Sequence, residues 1–284
     1  MTLDTLLAAA DEAVDDPLAP PARVRRPRAR PDPARLATIA SLLALFAGWW
    51  LAAHQGLVSP VFLPTPEAVA RQFVLVARDG FVDATLLQHL GASLGRVAVA
   101  LLAAAITAIP VGLAIGLSPI ARGVFDPLIE FYRPIPPLAY LSLIIIWFGI
   151  GELAKIILIY LAVFAPVAIA TAAGVKGVPR DRINAARAMG AGRLQVVWLV
   201  VLPNALPEIL TGLRIGLGVG WSTLVAAELV AATRGLGFMV QSAANFLVTD
   251  VVIMGILTIA AIAMALELLL RLAERLLVPW KRHG

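Results

Sequence analysis

Six apolar stretches, most of them close to the length that crosses a bilayer, constrain this chain more than any other feature of its sequence. They run from Leu36 to about Ala53, Val97 to Leu117, about Leu138 to Ile150, Ile156 to Ala173, Ile209 to about Ala227 and Val251 to about Leu270. A helix needs roughly 20 such residues to cover a 30 Å hydrocarbon core, and only the third stretch falls clearly short. It is short if counted from Leu138; the RPIPP before it predicts a proline-broken start, tolerated where neighbouring helices or a cavity satisfy the freed backbone groups. Composition agrees: 60% of the residues are hydrophobic and 14% charged, against roughly 45–50% and 25% in soluble domains. Too few charges remain to coat a soluble surface. The expected fold class is an all-α polytopic membrane protein with six transmembrane helices.

Lys and Arg sort by side if the N-terminus is cytoplasmic. The N-terminal tail, the turn around Arg122 and Arg133, the 174–206 loop and the C-terminal RLAERLLVPWKRHG hold 17 of the 23, while the opposite side holds five: Arg71, Arg78, Arg96, Lys155 and Arg234. This is the positive-inside bias. It accounts for the net charge of +5 without nucleic acid, which would want its basic residues on one soluble face. Trp49, Trp50 and Trp147 fall toward outer ends of spans, as an aromatic belt requires. The chain divides into a tail over 1–35, whose acidic and Pro/Arg-rich composition predicts disorder, a first transmembrane helix over 36–57 and an outer segment over 58–95. A five-helix core follows over 96–273, with the cytoplasmic loop 174–206, and a cytoplasmic tail over 274–284. The basic segment before Leu36 is too long, and the run after it already too long, for a signal peptide.

The residues for catalysis are not assembled in any familiar pattern. None of the three Lys follows a Gly as in a Walker A loop. His54, His89 and His283 show no metal-ligand spacing, there is no G-x-S-x-G elbow, and the absence of Cys removes disulfides and thiolate sites. No catalytic residue, metal or cofactor is expected. If cargo moves uphill, a partner must supply the energy.

The 174–206 loop is patterned. From Val178 it reads VPRDRINAARAMGAGRLQVVWLVVLPNALP: a helix-forming stretch, Gly190 and Gly192, an amphipathic stretch with Trp198, then Pro203 and Pro207 opening the fifth span. Gly190 suits the position just past a helix end. Ala185, Ala186 and Ala188 offer a small-residue surface on which another protein can sit, with Arg182 and Arg187 able to pair with carboxylates. The alternative is a loop helix that only caps the bundle.

Asn184-Ala185-Ala186, three residues, Gly190, nine residues, Val200, one residue, Leu202-Pro203 resembles the E-A-A, G, I, L-P loop of bacterial ABC importer permeases, with Asn for Glu and Val for Ile. From about Val58 to Trp280 the strings FLPTPEAV, IPVGLAIGLSP, RPIPPLAYL, IWFGIGE and LRIGLGVGWSTLVAAELVAATRGLGFMVQSA look like the nitrate/sulfonate/taurine group of that family. The resemblance implies a type I ABC importer permease fold in a bacterial inner membrane, with taurine as cargo. It also implies a second copy of the chain, two ABC ATPase subunits docked on the loop helix, and a periplasmic substrate-binding protein. Another alkanesulfonate, nitrate or a thiamine precursor is the alternative cargo. A stand-alone channel or secondary carrier is the alternative from another class; it would show internal repeats and ionisable residues in several spans.

Within the fifth span, Arg214, Trp221 and Glu228 are seven residues apart and fall on one helical stripe within about 40°, spread over roughly 21 Å. Gly212, Gly216 and Gly220 form the opposite, close-packing stripe. The three larger residues are candidates for the translocation path, with Glu228 toward the outer mouth and Arg214 toward the cytoplasm. The competing reading makes them structural, Arg214 paired at a helix end and Glu228 held by backbone N–H groups of the turn near Gly235.

Overall fold

The structure, a computed structural model, describes residues 33–280. The expected disorder of residues 1–35 and the last four residues of the C-terminal tail therefore fall almost wholly outside the described residues. The chain forms two units, divided after Trp49. The first is the body of α1 (Pro33–His54), apolar all round, as a lipid-facing helix is, with Leu42, Leu43, Leu45 and Phe46 exposed.

The second unit runs from Trp50 and, among the described residues, is helical apart from an isolated bridge between Phe81 and Ala84. Outside the spans, α2 (Pro66–Arg78) starts at Thr65, whose hydroxyl caps the Ala68 N–H at 3.3 Å, and buries Val69 and Val76. It packs on α11 (Thr249–Leu277), where Gln72 donates to Asp250 at 2.8 Å.

The helix that carries the second apolar run starts before the run itself, at Leu86. Helix α3 (Leu86–Leu117) begins at a capping box: Gln88 N–H donates to the Thr85 hydroxyl at 3.3 Å, and Thr85 N–H to the Gln88 side chain at 2.9 Å. Gln88, His89, Ser93 and Arg96 interrupt the hydropathy of this first stretch but not its helix. The outer segment 58–95 thus overlaps the span.

The helix is interrupted at the prolines before the third apolar run. Helices α4 (Pro119–Tyr132) and α5 (Pro137–Phe148) are bent by 101° across Arg133–Pro136. Pro lacks a donor and biases the residue before it away from helix. Five described helices are long and apolar enough to cross a membrane, or six spans if this pair counts as one.

The centre of the unit is α6 (Glu152–Lys176), packed along both α3 and α9 (Leu202–Ala231). Glycine makes that approach close. A Cβ on Gly112 of α3 would stand 2.5 Å from Ala168 O and Thr171 Cβ, and one on Gly212 of α9 would stand 2.5 Å from Ala170 Cβ. Gly216 and Gly220 lie on Val163 and Ile159 in the same way, so the small-residue stripe of the fifth span is a helix-packing face. Gly112→Val should cost about 1–3 kcal/mol through overpacking and lower the unfolding temperature of the detergent-purified protein. Gly218→Ala, with no atom within 4 Å of the new methyl, should leave it unchanged. Equal unfolding temperatures for both variants would contradict this packing.

Candidate coupling surface and transport path

The 174–206 loop folds into α7 (Arg180–Ala188), α8 (Arg193–Val196) and a π-helical turn at Val197–Val201 that runs into α9. Asp181 in the first turn and Arg187 in the last complement the helix dipole. The helix stops because Gly190 takes φ +87°. Gly190 N–H then donates to Arg187 O at 2.9 Å and Ala191 N–H to Ala186 O at 3.0 Å, the paired bonds of a Schellman end.

The two alanines of the loop pattern point opposite ways. Ala186 is 7% exposed and packs with Val175, Val178, Val196, Val201, Ala205 and Ile209 of the chain's own core. Ala185, Asn184, Arg187 and Met189 face outward. The small-residue surface expected of Ala185, Ala186 and Ala188 is therefore not one face: Ala185 and Ala188 are exposed, whereas a helix seated on a core must spend one face on it, and that face carries Ile183 and Ala186. Leu202 packs against the same cluster and Pro203 opens α9, so this pair seats the loop. Arg182 donates to the Asn204 side chain, and Asn204 Nδ2 donates to Val200 O at 2.6 Å, tying α7 to the root of α9. The outward face continues through the exposed Leu194, Trp198 and Leu199.

The structure does not bring Arg214, Trp221 and Glu228 together. They share a stripe of the continuous helix α9, yet each meets a different set of neighbours. Arg214 lies 3.7 Å from Glu267 and 3.5 Å from Glu274, both on α11. Trp221 is buried, its indole N–H has no hydrogen-bond partner among the described residues, and it borders a cavity of about 160 Å³ with Leu217, Ser222 and Glu267.

Glu228 is fully buried near the C-terminal end of α9, in an ionic cluster. Its carboxylate accepts from Ser93 Oγ at 2.8 Å, Arg96 Nη1 at 2.5 Å and Gly237 N–H at 2.9 Å. Arg96 also makes a two-pronged contact with Glu152, at 2.6 and 2.8 Å, and donates to Arg234 O at 2.8 Å. Lys155 completes the group 2.7 Å from Glu152. Above it, His89 accepts from Gly235 N–H at 3.1 Å and its other ring nitrogen meets Phe81 O at 2.9 Å, while Leu236 N–H donates to Ser93 Oγ at 2.9 Å. Residues of α3, α6, α9 and the start of α10 (Leu236–Asn245) are thereby joined. A Cβ at Gly235, where φ is +138°, would stand 2.4 Å from the Glu228 carboxylate, so that turn accepts no side chain.

Sequence reasoning missed most of this cluster by treating Arg96 as an outer-side charge. The signal was present: His89, Ser93 and Arg96 recur at i, i+4 and i+7, one polar stripe on a helix that is otherwise apolar.

Residues 108–283 match the family described as the inner membrane component of binding-protein-dependent transport systems. The chain belongs to this family. The permease is 62% identical over 248 residues to the taurine transport system permease protein TauC of Escherichia coli (strain K12), covering 87% of this chain and 90% of that one. It is 35% identical over 237 residues to the putative aliphatic sulfonates transport permease protein SsuC of Bacillus subtilis (strain 168), with 84% of each chain covered. It is also 35% identical over 202 residues to the nitrate import permease protein NrtB of Leptolyngbya laminosa, covering 71% and 72%. In fold it resembles a chain of the inward-facing MetNI methionine ABC transporter, with a TM-score of 0.58 at 23% identity, over 68% of this chain and 94% of that one. The permease therefore has a type I ABC importer fold and is an integral inner-membrane subunit of an ABC importer.

Proposed function

We propose that this permease carries taurine into the cytoplasm by alternating access, as a homodimer in lipid, fed by a periplasmic binding protein. Two separate ATPase subunits drive it, and the permease itself performs no catalysis. The observation that carries the reading is the 62% identity to the E. coli taurine permease across nearly the whole of both chains. In a reconstituted complex with its ATPase and binding protein, labelled taurine should enter in an ATP-dependent, saturable manner. Nitrate should compete weakly. Uptake of nitrate or a longer alkanesulfonate without taurine would overturn the cargo assignment.

The outward face of α7, with Asn184, Ala185, Arg187 and Met189, is the surface we assign to the ATPase; Ala186, Leu202 and Pro203 support it from within. Its exposure on a helix rigidly capped at Gly190 favours this role. For Arg214, Trp221 and Glu228 we propose the anchoring role over the path: two are paired to neighbouring helices and the third is buried between them.

Both termini are placed in the cytoplasm on the Lys/Arg distribution. A reporter active only outside the cytoplasm, fused after Gly284, should be silent; strong activity would reverse the orientation.

A further inference from the structure

The break between α4 and α5 opens onto a cavity of about 410 Å³, bordered by Tyr132, Arg133, Tyr140, Leu161, Ile169 and Val219. We propose that it is a transit site for the cargo, in which Arg133 takes the anionic head group and the two tyrosine rings take the ammonium end. The proposal rests on the reading of the cargo as an aminoalkanesulfonate and adds the residues that would meet it.

Several independent observations converge there. In many transporter folds substrate sites form at interrupted helices, where backbone ends and side chains are left available, and here two apolar helices meet at 101°. Arg133 is exposed and borders the cavity, so its guanidinium is open to an incoming ion. Arg96, Lys155 and Arg214 are each engaged by carboxylates. Arg133 has no such partner among the described residues, so its guanidinium is available to an incoming sulfonate, a geometry it matches with parallel N–H donors. Pro137, the first residue of α5, borders the same cavity and no side chain caps that helix start. The positive end of the helix dipole therefore adds to the field of Arg133.

The rest of the wall defines the ligand further. Tyr132 is held by a hydrogen bond from its hydroxyl to Leu161 O at 3.4 Å, and Tyr140 is half-buried. Their faces can receive an ammonium group by cation–π attraction. Among the described residues no Asp or Glu borders the cavity, so the cation is held weakly while the anion is held by charge. Leu161, Ile169 and Val219 suit a short methylene spacer. A site of this kind accepts the head group and releases it readily, as a path fed by a separate binding protein requires.

The test uses the full complex of permease, ATPase and binding protein in liposomes. Arg133→Gln should reduce taurine uptake about tenfold or more, Arg133→Lys should recover part of it, and ATP hydrolysis stimulated by the loaded binding protein should persist in both. Tyr140→Leu should lower taurine uptake more than uptake of ethanesulfonate, which lacks the ammonium. Because the chain has no Cys, Ile169→Cys offers a second readout that does not depend on Arg133: taurine should slow its modification by a negatively charged thiol reagent. Taurine uptake indifferent to Arg133→Gln, or Ile169→Cys labelling indifferent to taurine, would overturn the site and leave the cargo reading standing. Uptake of nitrate alone, still dependent on Arg133, would overturn the cargo reading and keep the site.

Discussion

Arg96→Met should be the most damaging single substitution in the transmembrane core. It removes the cation that bridges Glu152 and Glu228 and leaves the Glu228 carboxylate, 0% exposed, with only Ser93 and Gly237 N–H as partners. Breaking a buried ion pair from one side costs about 3–5 kcal/mol, because the remaining charge is stranded in a low-dielectric setting. That is a large share of the stability of any single domain. The expected result is a sharply lower unfolding temperature in detergent and little protein in the membrane fraction. Arg96→Met combined with Glu228→Leu should be less harmful than the sum of the two single changes, since the pair then disappears together. A single variant as stable as the parent would show that the cluster is not what holds α3, α6 and α9 together.

The second large effect separates the two neighbouring alanines of the loop. Ala186→Glu forces a carboxylate among Val175, Val196 and Val201, where an unpaired charge is costly enough that the group neutralises or the helix leaves its seat. Stability should fall, and α7 should become open to protease. Ala185→Glu sits on the exposed face of the same helix and should leave unfolding unchanged, while reducing co-purification with the ATPase by about tenfold through a clash in a close contact. If both variants unfolded like the parent and both held the ATPase normally, α7 would not be the docking helix.

Much of this architecture is written locally. An apolar run has the same reading wherever it lies, so the spans at Leu36, Ile156 and Val251 were legible to within a few residues. The consecutive prolines after Arg133 could only break a helix, and the structure bends there. The Gly190 stop and the Schellman bonds behind it follow from one residue free to take positive φ. The apolar run at Val97 does not mark where α3 begins, because hydropathy averages over side chains: Gln88, His89, Ser93 and Arg96 precede the run, although each turn of helix they occupy is as regular as those after Val97.

Partnerships were decided elsewhere. The stripe Arg214, Trp221, Glu228 follows from the helical period alone, yet the period says nothing of which neighbour each residue meets. Arg214 reaches Glu267 and Glu274 from a helix some fifty to sixty residues further on, and Glu228 reaches Arg96 from one more than a hundred residues earlier. Those meetings depend on how closely α3 and α9 approach α6, which Gly112, Gly212 and Gly220 set by leaving out a Cβ. Ala185 and Ala186 are chemically identical neighbours. Only the seat of α7 on its core separates the one that faces a partner from the one that faces home. Sequence by itself therefore determined that the chain crosses the membrane, where it breaks and where it carries a structured loop between spans, because each depends on residues near one another in the chain. Tertiary structure alone decided which buried charges neutralise each other, because a charge in a low-dielectric interior is governed by whatever packing brings within a few ångströms of it.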